Sequence, residues 1–339
     1  METTTLGRTG LRVSRTGFGA LPIQRVDFDT ARHILSAAFD AGITFFDTAR
    51  GYSDSEAKLA YALGDVRDQI VLATKASGAK NRDDVMRCIE TSLETLGTDH
   101  VDLLQLHNPR TWPDPDDPQS LYRGLLDAQA QGMTRYIGIS NHRRDLAARA
   151  VRSGYYDTLQ FPLSAISSDE DLTLPALCAE HNVGLIAMKA MSGGLLSDAR
   201  VAFAALRRFP NVVPIWGIQR MSELNEFLAL EADPPALDEA LIAAIERDRA
   251  ELAGDFCRGC GYCLPCSVEI PINMAARITF LIRRAPSARF LAPEWQEQMN
   301  RINDCIECGL CKERCPYELD VPALLRKQLA EYTEMVGLA

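Results

Sequence analysis

The 339-residue sequence predicts an α/β protein, in which a (β/α)8 TIM barrel with an N-terminal β-hairpin is followed by a small cysteine-rich domain. Three observations predict this fold class. Eight short apolar runs alternate with stretches of helical periodicity in the first part of the chain. None of these runs is followed by the glycine fingerprint of a dinucleotide-binding sheet. Eight of the ten cysteines lie between Cys257 and Cys315, and only Cys88 and Cys178 precede them.

The eight apolar runs have the length expected of β-strands. They span residues 16–21, 45–47, 70–75, 101–107, 136–140, 158–163, 184–190 and 212–217. The helical stretches between them, such as 29–40, 83–96 and 120–131, begin in several cases with Asp or Ser, which are favoured at helix N-caps. Repeated strand–helix units give parallel strands with right-handed crossovers, in either a closed barrel or an open doubly wound sheet.

The glycine pattern favours the closed barrel. In an open nucleotide-binding sheet, the motif G-x-G-x-x-G follows a strand and opens a helix. Here Gly17-Phe18-Gly19 is followed by Pro22 at the position of the third glycine. The fingerprint is therefore broken, and we predict a barrel.

Two segments mark the ends of the barrel domain. Residues 3–6 and 11–14 flank Gly7-Arg8-Thr9-Gly10, which predicts a β-hairpin before the first barrel strand. A last helix is predicted over residues 237–252, after the eighth strand–helix unit. We therefore assign residues 1–252 to the barrel and residues 253–339 to the cysteine-rich domain.

The composition excludes several classes of protein. A hydrophobic fraction of 47% supports a large core, which excludes disorder as the main state. The net charge of -10 argues against nonspecific nucleic-acid binding. No apolar run reaches the ~18 residues of a membrane span, and the N-terminus lacks the apolar stretch of a secretory signal. We therefore expect a cytoplasmic protein with no nucleic-acid or membrane partner, whose clustered thiols bind metal rather than form disulfides.

Polar residues end three consecutive strands of the predicted barrel. Asp47, Lys75 and His107 end the second, third and fourth strands, and Tyr52 follows Asp47 by five residues. Reactive groups of such barrels lie at the C-terminal ends of the strands. A tyrosine acts as an acid or base near neutrality only if its phenolate is stabilised, which a neighbouring lysine held by an aspartate would do. The four side chains together suit the polarisation and protonation of a carbonyl oxygen.

Five segments of this region resemble the aldo-keto reductase family, whose fold is a (β/α)8 barrel with an N-terminal hairpin. They are residues 6–14 (LGRTGLRVS), 46–52 (FDTARGY), 73–75 (ATK), 102–107 (DLLQLH) and 138–141 (GISN). The resemblance implies that the catalytic tetrad of the family falls on Asp47, Tyr52, Lys75 and His107, with Tyr52 as the general acid/base. It also implies that Ser140, Asn141 and Gln160 hold the nicotinamide carboxamide.

The resemblance is weaker at the nucleotide end of the site. The residues implied there are Gly217, Gln219, Arg220, Glu223 and Glu226. Phe227 stands where the family has an asparagine, and Glu223 stands where many members have Arg or Gln near the ribose phosphate. Because a carboxylate at this position repels a 2′-phosphate unless Arg220 compensates, the sequence leaves both NADP(H) and NAD(H) open as cofactors.

The cysteines form two runs with metal-ligand spacing. The first run has the spacing C-x2-C-x2-C-x2-C, and the second has the bacterial ferredoxin spacing C-x2-C-x2-C-x3-C-P. By the two-cluster ferredoxin pattern, the last cysteine of each run serves the cluster of the other run. One [4Fe-4S] cluster would then be held by Cys305, Cys308, Cys311 and Cys266, and a second by Cys257, Cys260, Cys263 and Cys315.

The first run departs from the ferredoxin pattern. Its last spacer has two residues rather than three, and Ser267 follows where proline is usual. Two zinc sites and a single cluster therefore stand as alternatives. A helical insert over residues 272–302 is predicted to separate the two runs.

The sequence as a whole predicts an oxidoreductase that acts on a small carbonyl or alcohol substrate with a nicotinamide cofactor. The clusters would exchange electrons with a redox protein partner or stabilise the appended domain. Two alternatives are an electron-transfer protein with the barrel as a binding scaffold, and a barrel site supplied with electrons by the clusters without bound nicotinamide.

Overall fold

The computed structural model describes residues 1–252, 256–284 and 288–337. The chain forms two compact units. The first comprises Met1–Ala190 and Phe203–Leu237, and the second comprises Met191–Ala202 and Asp238–Ala339. Each unit therefore contains chain segments that are separated in sequence.

The predicted hairpin opens the first unit. Strand β1 (Thr3–Thr5) pairs antiparallel with β2 (Arg12–Ser14), with Thr3 opposite Ser14. The apolar side chains of the hairpin, with Leu6 among them, pack in one core cluster with interior residues of the barrel strands. Since Leu6 also lies against Gly184, the first residue of a barrel strand, the hairpin covers the N-terminal end of the barrel.

Eight parallel strands close into a barrel in which each strand pairs with the next in sequence and the last pairs with the first. They are β3 (Gly17–Gly19), β4 (Phe45–Asp47), β5 (Val71–Ala76), β6 (Val101–His107), β7 (Thr134–Ser140), β8 (Thr158–Pro162), β9 (Gly184–Met188) and β10 (Val212–Gly217). The prediction of a closed barrel is confirmed.

A helix follows each barrel strand. These helices are α1 (Phe28–Asp40), α2 (Ser55–Leu63), α3 (Arg82–Leu96), α4 (Leu121–Ala130), α5 (Arg144–Ser153), α6 (Leu174–Glu180), α7 (Ala199–Arg207) and α8 (Met221–Ala232). The Ser120 side chain caps α4 as predicted, by accepting a hydrogen bond from the Arg123 N–H. Helices α1 and α3 begin one residue earlier than predicted, because Asp27 and Asn81 cap them.

Among the described residues of the second unit, the regular structure is helical. Its helices, in addition to the start of α7, are α9 (Glu239–Glu251), α10 (Ile272–Ala275), α11 (Ile278–Arg284), α12 (Ala288–Leu291), α13 (Pro293–Asn300), α14 (Leu310–Glu313) and α15 (Val321–Gly337). The predicted insert at 272–302 is thus a series of short helices. The Tyr332 hydroxyl ties α15 to this insert by donating a hydrogen bond to the Phe290 carbonyl at 2.6 Å.

The boundary between the units differs from the one drawn on the sequence. Helix α9 belongs to the second unit, whereas the sequence-based boundary at 252/253 leaves it with the barrel. Residue 253 itself lies outside the described residues, and the boundary stays a prediction. In the part of the chain that the structure describes, no helix is both long enough and apolar enough to cross a membrane.

Candidate active site and cysteine-lined cavities

An ion pair lies at the C-terminal ends of β4 and β5. Asp47 is the last residue of β4 and Lys75 the penultimate residue of β5, and their side chains are almost fully buried. The Lys75 ammonium donates hydrogen bonds to Asp47 Oδ2 at 2.6 Å and to the Thr48 carbonyl at 2.7 Å. Because both partners come from adjacent parallel strands, the sheet register itself brings the pair together.

Tyr52 and His107 complete the group that the sequence predicts. The loop after β4 carries Tyr52, and the Lys75 Nζ lies 5.2 Å from the centroid of the Tyr52 ring. His107, the last residue of β6, meets the Tyr52 ring edge to face with 5.7 Å between the centroids. Four side chains from three consecutive strand–loop connections therefore converge at one point of the barrel rim.

The protonation states of this group follow from its removal from water. Burial and the negative charge of Asp47 raise the pKa of the Tyr52 phenol above its ordinary value. Burial and the positive charge of Lys75 lower the pKa of His107 to about 3. At neutral pH the site thus holds a protonated phenol and a neutral imidazole, both able to donate a hydrogen bond.

The sequence-based expectation that Lys75 stabilises a Tyr52 phenolate stays a prediction, since the phenol is protonated in the resting protein. The ammonium lies over the face of the Tyr52 ring, and Asp47, 2.6 Å away, balances its charge. Because Asp47 balances the ammonium charge and burial raises the pKa of Tyr52, the phenol keeps its proton in the resting protein.

Two polar residues that the sequence reasoning missed contact the group. The Gln105 amide nitrogen donates to Asp47 Oδ1 at 3.2 Å and to Gln160 Oε1 at 2.9 Å. The Ser77 hydroxyl lies 2.6 Å from His107 Nδ1. A detectable signal existed for Gln105 only: it is a polar residue in an apolar strand, two positions before His107 and hence on the same face.

The three residues implied for the carboxamide lie together at the ends of β7 and β8. Ser140 pairs in register with Gln160, and Asn141 follows Ser140. All three side chains are buried. The Gln160 amide nitrogen lies 3.4 Å from Asp47 Oδ2, so this group adjoins the ion pair. The Asn141 side chain also donates to the Pro109 carbonyl at 3.0 Å and accepts from the Arg143 N–H at 2.8 Å.

The eight clustered cysteines surround two cavities in the second unit. One cavity is lined by Cys263, Cys266, Cys305, Cys308 and Cys311. The other is lined by Cys257, Cys260, Cys263 and Cys315. Each cavity thus receives thiols from both runs. No group of three or more His, Cys, Asp or Glu side chains within 1–252, 256–284 and 288–337 is arranged to hold a metal ion.

Comparison with known proteins identifies both parts of the chain. The model of the aldo/keto reductase family matches residues 15–233, which is more than half of the chain. The chain belongs to this family. A model described as a 4Fe-4S dicluster domain matches residues 256–320, so that the barrel is followed by a ferredoxin-like iron–sulfur domain.

Similar proteins of known sequence or structure match the barrel. The aldo-keto reductase YhdN of Bacillus subtilis is 29% identical over an alignment of 219 residues, and the match covers 58% of this chain and 64% of YhdN. The D-threo-aldose 1-dehydrogenase of a Pseudomonas species is 30% identical over an alignment of 235 residues, and the match covers 56% of this chain and 69% of that protein. The thermostable aldo-keto reductase Tm1743 is 27% identical with a TM-score of 0.60, and the match covers 73% of this chain and 100% of that one. This chain thus spans about two thirds of the curated relatives and all of the structural one.

The nucleotide end of the candidate site carries a carboxylate at the start of α8. Glu223, in the first turn of α8, accepts hydrogen bonds from the backbone N–H groups of Gln219 at 2.9 Å and Arg220 at 3.2 Å. It also accepts two bonds from the Arg220 guanidinium at 2.9 and 2.7 Å. The carboxylate therefore takes two backbone donors and the guanidinium next to the start of α8, and it places a negative charge there. Ser140, Asn141 and Gln160 carry hydroxyl and amide groups of the kind that bind a carboxamide, whereas the start of α8 presents the Glu223 carboxylate, which repels a 2′-phosphate.

The other two residues implied for the nucleotide end are Gly217 and Glu226. Gly217 ends β10, and a side chain there would meet the Pro22 ring at 3.0 Å. Glu226 is exposed on α8. Phe227, which departs from the family pattern, is buried and stacks on Trp216 with 4.3 Å between the centroids. Phe227 therefore packs in the core at the position where the family has an asparagine.

Proposed function

We propose that the chain is an oxidoreductase that transfers hydride between a nicotinamide dinucleotide and the carbon of a carbonyl or alcohol, with Tyr52 as the general acid/base. The observation that carries this proposal is the convergence of a protonated phenol, a neutral imidazole and a neutralised ammonium at the barrel rim. This combination suits a reaction in which negative charge develops on a substrate oxygen.

In the direction of carbonyl reduction, the His107 ring N–H donates a hydrogen bond that orients and polarises the carbonyl oxygen. The Tyr52 hydroxyl then protonates that oxygen as it gains negative charge. The Lys75 ammonium stabilises the phenolate that remains, since it lies 5.2 Å from the ring, and Asp47 keeps the ammonium in place. When bound, the reduced nicotinamide supplies the hydride, and Ser140, Asn141 and Gln160 hold its carboxamide.

In the second unit we propose two [4Fe-4S] clusters, each in one cysteine-lined cavity. Cys266 would join Cys305, Cys308 and Cys311 around the first cavity, and Cys315 would join Cys257, Cys260 and Cys263 around the second. In this assignment the last cysteine of each run binds the cluster of the other run, as in two-cluster ferredoxins. It is supported by the two cavities, because thiols of both runs line each of them. Each cluster carries one electron, which suits exchange with a redox protein partner.

The Tyr52→Phe variant tests the assignment of the acid/base. The substitution removes the proton donor and keeps the ring between Lys75 and His107, so we expect a loss of at least 100-fold in kcat, the usual contribution of such a group. The relative that acts on D-threo-aldoses makes aldoses sensible first substrates. The matched control is Tyr61→Phe, at an exposed tyrosine of α2. Full turnover by Tyr52→Phe would contradict the assignment.

A second candidate is a barrel site that receives electrons from the clusters and binds no nicotinamide. It is favoured because two side chains implied in nucleotide binding already have hydrogen-bond partners within the protein. Asn141 bonds to Pro109 and Arg143, and Glu223 pairs with Arg220. Anaerobic titration of the as-isolated protein with NADH and NADPH separates the two candidates. Saturable binding of either nucleotide supports the first, and its absence together with turnover driven by chemically reduced clusters supports the second.

A further inference from the structure

Ser77, the first residue after β5, lies between two parts of the candidate site. Its hydroxyl oxygen is 2.6 Å from His107 Nδ1. The same oxygen accepts a hydrogen bond from the Gly51 N–H at 3.0 Å. Since Gly51 precedes Tyr52 in sequence, one hydroxyl connects the loop that carries the phenol with the strand that carries the imidazole.

The proton count of this hydroxyl determines its role. A serine hydroxyl has one proton to donate and two lone pairs to accept with. The Gly51 N–H is always a donor and uses one lone pair. The proton then has two acceptors available, His107 Nδ1 at 2.6 Å and the Lys75 carbonyl at 3.4 Å. We assign the proton to the shorter contact, with the hydroxyl donating to Nδ1; in the alternative, Nδ1–H donates to the Ser77 hydroxyl and that hydroxyl donates to the Lys75 carbonyl.

The hydrogen bond from Ser77 determines which ring nitrogen of His107 carries a proton. An imidazole nitrogen that accepts a hydrogen bond carries no proton, so the single proton of the neutral ring resides on Nε2. The ring is neutral at physiological pH, because burial and Lys75 lower the pKa of His107 to about 3. An Nε2–H group donates a hydrogen bond, whereas the opposite tautomer presents a lone pair that repels a carbonyl oxygen.

We propose that Ser77 is a positioning residue that fixes His107 as the Nε2–H tautomer and so prepares it to donate a hydrogen bond to the substrate carbonyl. This inference rests on the proposed carbonyl chemistry of the barrel site. Ser77 itself does not touch the reacting atoms and acts through the imidazole.

The tautomer is measured directly by NMR of the full-length protein with oxidised clusters and 15N-labelled histidine rings. The chain has five histidines, and a His107→Asn variant assigns the signal of interest. We expect the pattern of the Nε2–H tautomer for His107 in the wild type and in Ser77→Thr, which keeps a hydroxyl. In Ser77→Ala we expect a mixture of tautomers or the Nδ1–H form. A wild-type Nδ1–H tautomer, or an unchanged Nε2–H signal in Ser77→Ala, would overturn the proposal.

Kinetics give a second readout. We expect kcat for carbonyl reduction to fall about tenfold or more in Ser77→Ala, with partial recovery in Ser77→Thr. The control is Ser153→Ala, since the Ser153 hydroxyl also accepts from a backbone N–H (Tyr155) and donates to a backbone carbonyl (Ala150), but at the end of α5. If the proposed function is wrong, no variant turns over a carbonyl, and the NMR result still decides the role of Ser77.

Discussion

The Lys75 ammonium lies 2.6 Å from the Asp47 carboxylate, and both side chains are at least 98% buried. Removing one partner of such a pair leaves a buried charge without compensation. The pair therefore links the stability of the barrel to the chemistry at its rim. Loss of either partner should therefore affect folding as well as activity.

We predict that Asp47→Asn and Lys75→Met each lower the free energy of unfolding of the barrel by about 3–5 kcal/mol, the usual effect of breaking a buried ion pair. The double variant should recover part of this loss, because it buries no lone charge. Urea denaturation of the three variants measures the effect. The control Asp145→Asn breaks the exposed pair with Arg143, and a change below about 1 kcal/mol is expected. Equal losses at both sites would show that burial does not determine the effect.

The raised pKa of Tyr52 predicts the pH dependence of the reaction. A group whose pKa is raised keeps its proton to a higher pH, so the acid form needed for carbonyl reduction persists beyond pH 10, the ordinary value for tyrosine. We expect kcat for reduction to stay level from neutral pH up to that value, and alcohol oxidation, which needs the phenolate, to rise throughout.

The pH profile of reduction also measures how strongly Lys75 affects the pKa of Tyr52. A fall in reduction centred near pH 7–8 would mean that Lys75 lowers the pKa of Tyr52 by more than burial and Asp47 raise it. The low pKa of His107 further predicts no inflection near pH 6.5. Tyr61→Phe, at an exposed position, should leave the whole profile unchanged.

Glu223 predicts the choice of nucleotide. Its carboxylate already takes two backbone donors and the Arg220 guanidinium, which leaves little at this helix start for a 2′-phosphate. We expect the wild type to bind NADH at least as tightly as NADPH. Glu223→Gln should shift the ratio of the two Kd values toward NADPH by about tenfold, because it removes one repelling charge.

Calorimetric or fluorescence titration of both nucleotides measures this ratio. Glu90→Gln makes the same change of charge at an exposed position of α3 and should leave the ratio as it is. A wild type with a strong preference for NADPH would contradict the interpretation of Glu223.

Sequence patterns were sufficient for the barrel because strand–helix alternation and strand-end polar residues are local features. The register of parallel neighbours then brings Asp47, Lys75 and His107 to one end without further information. Ser77 could not be found this way, since its role depends on a contact across 30 residues that no spacing encodes. The sequence also named Glu223 and its partner Arg220. It could not show that the Glu223 carboxylate accepts hydrogen bonds from backbone N–H groups, because these bonds depend on the folded start of the helix.

The ferredoxin spacing, together with the two cysteine-lined cavities, predicts which thiols share a cluster. With two four-iron clusters, we expect about eight iron atoms per chain in anaerobically purified protein. Cys308→Ser and Cys260→Ser should each lose one cluster, and a different one, with separate changes in the electron paramagnetic resonance spectrum of the reduced protein. Cys88→Ser, on α3 of the barrel, should keep the full iron content.

The last cysteine of each run tests the exchange between runs. Cys266 lines the same cavity as Cys308, and Cys315 lines the same cavity as Cys260. The spectrum of Cys266→Ser should therefore match that of Cys308→Ser. The spectrum of Cys315→Ser should in turn match that of Cys260→Ser. The opposite pairing would mean that each run holds its own cluster. Zinc in place of iron would exclude the clusters altogether, and about four iron atoms in the wild type would leave one cavity without its cluster.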